Sequence, residues 1–162
     1  MKDMKDMKDM KDMKDIKVLL VDDEKEFVNS LAERIQMRQL ESSIAYDGEQ
    51  ALELVQDQVP DVVVLDLRMP GIDGLEVLER LKKSYPSVQV IVLTGHGSEE
   101  DEKIAKKLGA YDYLQKPVNI DKLIGSIKNA YHSFEDMMSA ATYAEAGDMK
   151  SAREVLDKKK KK

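Results

Sequence analysis

Apolar residues in this chain gather in short runs separated by amphipathic stretches. Ile16-Lys17-Val18-Leu19-Leu20-Val21 comes first, followed by Ser43-Ile44-Ala45-Tyr46, Asp61-Val62-Val63-Val64-Leu65, Val88-Gln89-Val90-Ile91-Val92-Leu93 and Tyr111-Asp112-Tyr113-Leu114. Such short, mostly apolar runs predict strands covered on both faces. Between them the apolar spacing shifts to that of helices. Phe27, Leu31, Ile35 and Leu40 fall near one face of a first helix, Ala51, Leu52 and Val55 of a second, and Leu75, Leu78 and Leu81 of a third. A fourth, Glu99 to Leu108, is strongly charged and offers Ile104, Ala105 and Leu108 for packing. A fifth starts near Asn119 or Asp121 and carries Leu123, Ile124, Ile127, Ala130 and Tyr131.

Strands alternating with helices through short loops predict an α/β domain with a doubly wound, five-stranded parallel sheet. Right-handed crossovers restrict the topology to a few forms, and ligands of such sheets bind beyond the carboxyl ends of the strands. Asp22 and Asp23 end the first strand, Asp66 ends the third, Thr94 ends the fourth, and Lys116 follows the fifth. The pattern thus gathers these five residues at one rim.

The 162 residues accommodate one domain of ordinary size, expected at 16–131, with shorter additions. No apolar run approaches the roughly 20 residues that cross a bilayer, and no signal peptide is visible, so a cytoplasmic protein is expected. With no cysteine and two histidines, disulfides, thiolate nucleophiles and zinc–thiolate sites are excluded. The net charge is −6. Five Lys and five Asp cancel within residues 1–15, and residues 158–162 are all lysine, which leaves −11 on residues 16–157. So acidic a body repels nucleic-acid phosphates and attracts cations or basic partners. The five Met-Lys-Asp repeats of residues 1–15 match neither a helix nor a strand period and read as a low-complexity lead-in, and the lysines as a solvated tail.

Three aspartates converging at one rim repel one another, and a raised pKa or a bound cation relieves this. Magnesium suits them: it prefers carboxylate, carbonyl and water oxygens and commonly shares its shell with phosphate. Thr94 adds a hydroxyl and Lys116 an ammonium, both suited to phosphoryl oxygens. The set describes a small phosphoryl-transfer site with a carboxylate nucleophile.

Four segments carry a resemblance. Val18-Leu19-Leu20-Val21-Asp22-Asp23-Glu24, Asp66-Leu67-Arg68-Met69-Pro70-Gly71-Ile72-Asp73-Gly74, Val92-Leu93-Thr94-Gly95-His96-Gly97 and Ala110-Tyr111-Asp112-Tyr113-Leu114-Gln115-Lys116-Pro117 resemble the receiver domain of two-component response regulators over about Ile16 to Tyr131. The resemblance implies a flavodoxin-like sheet of strand order 2-1-3-4-5. It further implies that Asp66 accepts a phosphoryl group from a sensor histidine kinase or phosphotransfer protein. Mg2+ would be held by Asp23 directly, by Asp22 largely through water, by Asp66, and by the main-chain carbonyl of Arg68. Thr94 and Lys116 would grip the phosphate, and Tyr113 would be a switch aromatic turning inward as Thr94 moves. Arg68 and His96, each two places beyond a key residue, would tune the phosphoryl lifetime, and Lys116–Pro117 would be cis. The protein would thus be a regulatory phospho-acceptor and not an enzyme in its own right, signalling through the surface of the fourth helix, fifth strand and fifth helix.

Simpler readings stand beside these. Asp23, with Glu26 three residues on, fits a helix cap, and Asp66 before Met-Pro-Gly fits a turn. Tyr113 fits an ordinary strand position, and His96, between two glycines, a solvated loop. A phosphatase of the haloacid dehalogenase type also uses an aspartate nucleophile, but it wants a second aspartate where Arg68 stands.

Residues 132–157 lie outside the resemblance and form a helical extension. Leu123, Ile127, Ala130, Phe134, Met137, Ala141 and Ala144 alternate spacings of four and three, which fits a short coiled-coil seam or one amphipathic helix. Gly147-Asp148 reads as a turn, with Ala152, Val155 and Leu156 on one face of a last helix. Ala141 to Ala152 is weakly similar to part of a tetratricopeptide repeat, a unit that cannot bury its face alone. No basic helix-turn-helix is visible, so direct nucleic-acid binding is not expected. The expectation is a single-domain regulator working through protein contacts, with a homodimer through the extended helix or the signalling face as an option. The alternative is the receiver part of a longer DNA-binding transcriptional activator.

Overall fold

The structure is a computed structural model that describes residues 15–145. Five strands, β1 (Val18–Val21), β2 (Ser42–Ala45), β3 (Val62–Leu65), β4 (Gln89–Thr94) and β5 (Asp112–Gln115), pair in parallel in the order β2-β1-β3-β4-β5. The helices between and after them are α1 (Lys25–Gln36), α2 (Gly48–Asp57), α3 (Gly74–Ser84), α4 (Glu99–Lys107) and α5 (Ile120–Glu145). This is the flavodoxin-like order that the four segments imply.

The continuous apolar runs are explained by burial on two faces. Val18, Leu20, Val62, Val64, Ile91 and Leu93 point to one cluster, completed by Val28, Leu31 and Ile35 of α1 and Leu123, Ile124 and Ile127 of α5. Their strand neighbours Leu19, Val21, Val63, Leu65, Val90 and Val92 point to the other, with Ala51 and Val55 of α2, Val77, Leu78 and Leu81 of α3 and Ala105 of α4. Because side chains alternate across a strand, each run feeds both layers and needs no polar positions. Registers Val21↔Ala45, Val21↔Leu65 and Leu65↔Val92 bring the carboxyl ends of the strands level, so Asp22, Asp66 and Thr94 emerge side by side.

Two packing expectations are corrected. Leu40 is fully buried but stands beyond α1, which ends in a turn where Gln39 takes φ 69°. Gln39 donates its N–H to the Gln36 carbonyl and Leu40 to the Ile35 carbonyl, a Schellman closure that folds Leu40 back onto Ile35. Ile104 is 38% exposed; α4 packs through Ala105 and the half-buried Leu108. Asn119 caps α5 by accepting N–H bonds from Asp121 and Lys122. That helix runs unbroken past the receiver segment, and its seam leaves the core on the way: Ala130 is buried, Phe134 half-buried and Met137 57% exposed. The lead-in before Asp15, the turn at Gly147, the last helix and the lysine tail lie outside the described residues, as does most of the repeat-like segment. Among the described residues, no helix is long and apolar enough to cross a membrane.

Candidate functional site

The end of β4 and the loops after β1, β3 and β5 bring Thr94, Asp22, Asp23, Asp66 and Lys116 to one crevice. Asp22 is 4% exposed, Asp66 3% and Thr94 not at all, whereas Asp23 is half-exposed. One carboxylate oxygen from each of the three aspartates lies within 4.8 Å of the others. The cap reading of Asp23 fails: Glu24 is the N-cap of α1 and makes no side-chain cap. Asp22 instead binds the start of the helix, accepting the Glu24 N–H on Oδ1 at 2.9 Å. Asp66 does make a turn contact, accepting the Arg68 N–H on Oδ1 at 3.3 Å. That leaves its Oδ2 toward the crevice.

Lys116 ties the cluster together. Its Nζ donates to Asp22 Oδ2 at 2.7 Å and stands 3.6 Å from Asp66 Oδ2 and 3.5 Å from Glu24 Oε1. The Lys116 N–H bonds to the Thr94 carbonyl at 3.0 Å, and Lys116–Pro117 is cis, as expected from the sequence. Burial pulls the Lys116 ammonium pKa down, but the Asp22 hydrogen bond and the charges of Asp66, Asp22 and Glu24 outweigh it, so the net shift is upward. Burial pushes the Asp22 carboxyl pKa up, against the bonds from Lys116 and the Glu24 N–H and with help from the Asp66 charge. One ammonium thus faces more negative charge than it neutralises, in a partly desolvated pocket. The donors are all oxygen, which suits a hard divalent ion and not a thiophilic one.

Around this centre the structure adds residues whose roles depend on tertiary contacts. Thr94 Oγ1 accepts the His96 N–H at 3.4 Å, while the imidazole is exposed. Tyr113 is 8% exposed and its ring already lies inward, under the loop after β4; its hydroxyl is buried without a hydrogen-bond partner among the described residues. Gly97 leaves that space: a Cβ there would overlap the Tyr113 hydroxyl and come 2.8 Å from Thr94 Cγ2. The Arg68 guanidinium pairs at 3.5 Å with Asp101 Oδ2, which also accepts the Ser98 N–H in the capping box of α4. Gly74 lets α3 begin against the Asp66–Leu67 backbone, where a Cβ would stand 2.7 Å from the Asp66 carbonyl. Phe27 lies with its ring centroid 4.2 Å from Lys116 Nζ. Gly74, Gly97 and Glu24 were visible as letters within the four segments that carry the resemblance; Phe27 read only as a core-facing apolar position.

A family model for the response regulator receiver domain matches residues 18–128. The chain belongs to this family. It is 42% identical over 115 residues to a putative NtrX-like response regulator of Rickettsia typhi, covering 70% of this chain and 24% of that protein. With the transcriptional regulatory protein CpxR of Escherichia coli it shares 41% identity over 111 residues, 68% of this chain and 47% of CpxR. The chain therefore spans between about a quarter and about half of the length of these relatives. A CheY-like receiver domain protein from Methanospirillum hungatei superposes with a TM-score of 0.71 at 28% identity, covering 74% of this chain and 96% of that one. NtrX from Brucella abortus, in complex with ATP, gives 0.72 at 31%, covering 77% of this chain and 29% of that one. The receiver fold accounts for the whole doubly wound sheet, and the dehalogenase-type reading has no support.

Proposed function

We propose that this receiver domain takes a phosphoryl group on Asp66, with a histidine kinase or phosphotransfer protein as the donor. The observation that carries the reading is the juxtaposition of buried Asp66 and Asp22 with Lys116 Nζ, 2.7 Å from one carboxylate and 3.6 Å from the other. Asp66 Oδ2 attacks the phosphorus; the phosphorus–nitrogen bond of a phosphohistidine breaks, its electron pair stays on the imidazole, and the imidazole takes up a proton from solvent. Lys116 and the Thr94 hydroxyl bind the transferred oxygens. Asp22, Asp23, Asp66 and the Arg68 carbonyl would hold Mg2+, which supplies charge neutralisation for the phosphoryl oxygens when bound. Arg68 and His96 flank the site and set how long the acyl phosphate lasts.

The signal leaves through the surface of α4, β5 and α5. Phosphorylation replaces the single negative charge of the Asp66 carboxylate with roughly −1.5 to −2 on the phosphoryl oxygens, a net gain of up to about one negative charge. Thr94 moves toward it, and the loop after β4, already packed on Tyr113, moves with Thr94. The test is incubation of the full chain with acetyl phosphate and Mg2+, followed by intact mass. The parent gains one phosphoryl group and Asp66→Asn gains none; equal gain in both contradicts the reading.

A second reading concerns the output. CpxR is named a transcriptional regulatory protein, and this chain matches 47% of its length, which supports a receiver that governs a DNA-binding partner segment. In that case the continuation of α5 past Tyr131 is the natural connection. Size-exclusion chromatography with light scattering before and after phosphorylation distinguishes a protein that works as a monomer from one that pairs along α5.

A further inference from the structure

The carboxylates of Asp22, Glu24 and Asp66 lie 2.7, 3.5 and 3.6 Å from Lys116 Nζ, and the ring of Phe27 is a further neighbour. Phe27 sits in the first turn of α1, three residues after Glu24, and is half-buried against the α1–α5 core. Its centroid is 4.2 Å from Nζ, well inside the roughly 6 Å over which a cation is drawn to an aromatic face. The Lys116 side chain is only 12% exposed, so this attraction acts with little competition from water.

The carboxylate contacts and the ring contact differ in what happens to them during the proposed reaction. Asp22 holds Nζ at 2.7 Å, yet Asp22 also belongs to the group of three carboxylates suited to a divalent cation. A cation bound there competes with the ammonium for that charge. The ring quadrupole has no such competitor, because a strongly hydrated divalent ion takes oxygen ligands. We infer that Phe27 is a positioning residue: its ring keeps the Lys116 ammonium in place while the ammonium exchanges Asp22 for a phosphoryl oxygen on Asp66. The inference rests on the reading of Asp66 as phospho-acceptor.

The test compares the full-length parent with Phe27→Leu, Phe27→Tyr and Phe27→Trp. Leucine keeps apolar bulk but has no π face, while tyrosine and tryptophan keep the face. With acetyl phosphate and saturating Mg2+, Phe27→Leu is expected to lower the phosphorylation rate constant roughly three- to thirtyfold, the range a cation–π contact spans. Phe27→Tyr recovers most of the rate. In a Lys116→Ala background the Leu change adds less than a factor of two, because the ring no longer has a cation to place. The chain has no tryptophan of its own. In Phe27→Trp the indole is therefore the single tryptophan and can be excited apart from the six tyrosines, and its fluorescence changes on removing the ammonium by Lys116→Met.

Urea midpoints separate loss of fold from loss of placement. If Phe27→Leu unfolds, the Tyr and Trp variants and their Lys116→Ala combinations carry the comparison. An unchanged rate in Phe27→Leu, or an equal loss in the Leu and Tyr variants, overturns the inference while leaving the acceptor role of Asp66 intact. A parent that takes up no phosphoryl group overturns the acceptor reading itself, and the role of the ring with it.

Discussion

Single side chains account for several features that no pattern of hydrophobicity would give. Gln39 occupies the left-handed region, which costs a residue with a Cβ roughly 1 kcal/mol. The equivalent closure of α4 uses Gly109, at φ 108°, with the same pair of N–H bonds to residues three and five back. Gln39→Gly is therefore expected to raise stability by about 0.5–1 kcal/mol, read as a higher urea midpoint at constant slope. Tyr131 offers a second check. Burial, the Glu135 carboxylate as hydrogen-bond partner and charge, and the charges of Asp61 and Asp15 push its phenol up to about 12. A group raised in the folded state contributes stability that is complete below its ordinary value near 10 and lost as pH climbs to the folded value. Burial raises Tyr111 and Tyr113 as well, so ultraviolet titration of phenolate should show a high-pH step that shrinks by one phenol in Tyr131→Phe, and that variant should lose less stability than the parent between pH 10 and 12. Arg68 and His96 belong to this scale too: changing both to Ala should alter the dephosphorylation rate more than threefold.

At the scale of elements, the strands and their order followed from apolar runs because a doubly covered parallel sheet leaves no polar positions to confuse the reading. The rim residues were equally legible, since strand ends in such a sheet are fixed by topology. The end of α1 was less so: Leu40 continues the helical spacing, and only the backbone reversal at Gln39 removes it from the helix. Ile104 misled for the opposite reason, as the short α4 turns just one small residue, Ala105, fully inward. The partnership of Gly97 with Tyr113 joins the loop after β4 to β5 and was invisible in the chain order. Gly97→Ala places a methyl group where the Tyr113 hydroxyl lies, so it should cost about 1–3 kcal/mol, as overpacking does. Tyr113→Leu in the same background should return part of that loss in urea unfolding, giving a non-zero coupling energy.

For the whole molecule, the arrangement is a sheet whose two apolar layers hold the ends of β1, β3, β4 and β5 level while excess negative charge is concentrated at one rim. Asp22, raised by burial, is more stable protonated than it would be in the unfolded chain, so its contribution to stability is complete in acid and fades as pH rises through its folded value. A divalent ion reverses that deficit at neutral pH. Adding Mg2+ should therefore stabilise the full chain, by about 2.7 kcal/mol at a hundred times the dissociation constant, and Asp22→Asn with Asp66→Asn should abolish the gain. The contact of the Phe27 ring with Lys116 and the pairing of Arg68 with Asp101 became visible only here, because each joins segments distant in sequence. The most direct measurement is chemical: treat the chain with acetyl phosphate and Mg2+, reduce it with borohydride, and sequence the peptides by mass spectrometry. Reduction of an aspartyl phosphate leaves homoserine, which should stand at position 66 and nowhere else. Phosphate that survives reduction on a hydroxyl side chain, or homoserine at another aspartate, would contradict the account.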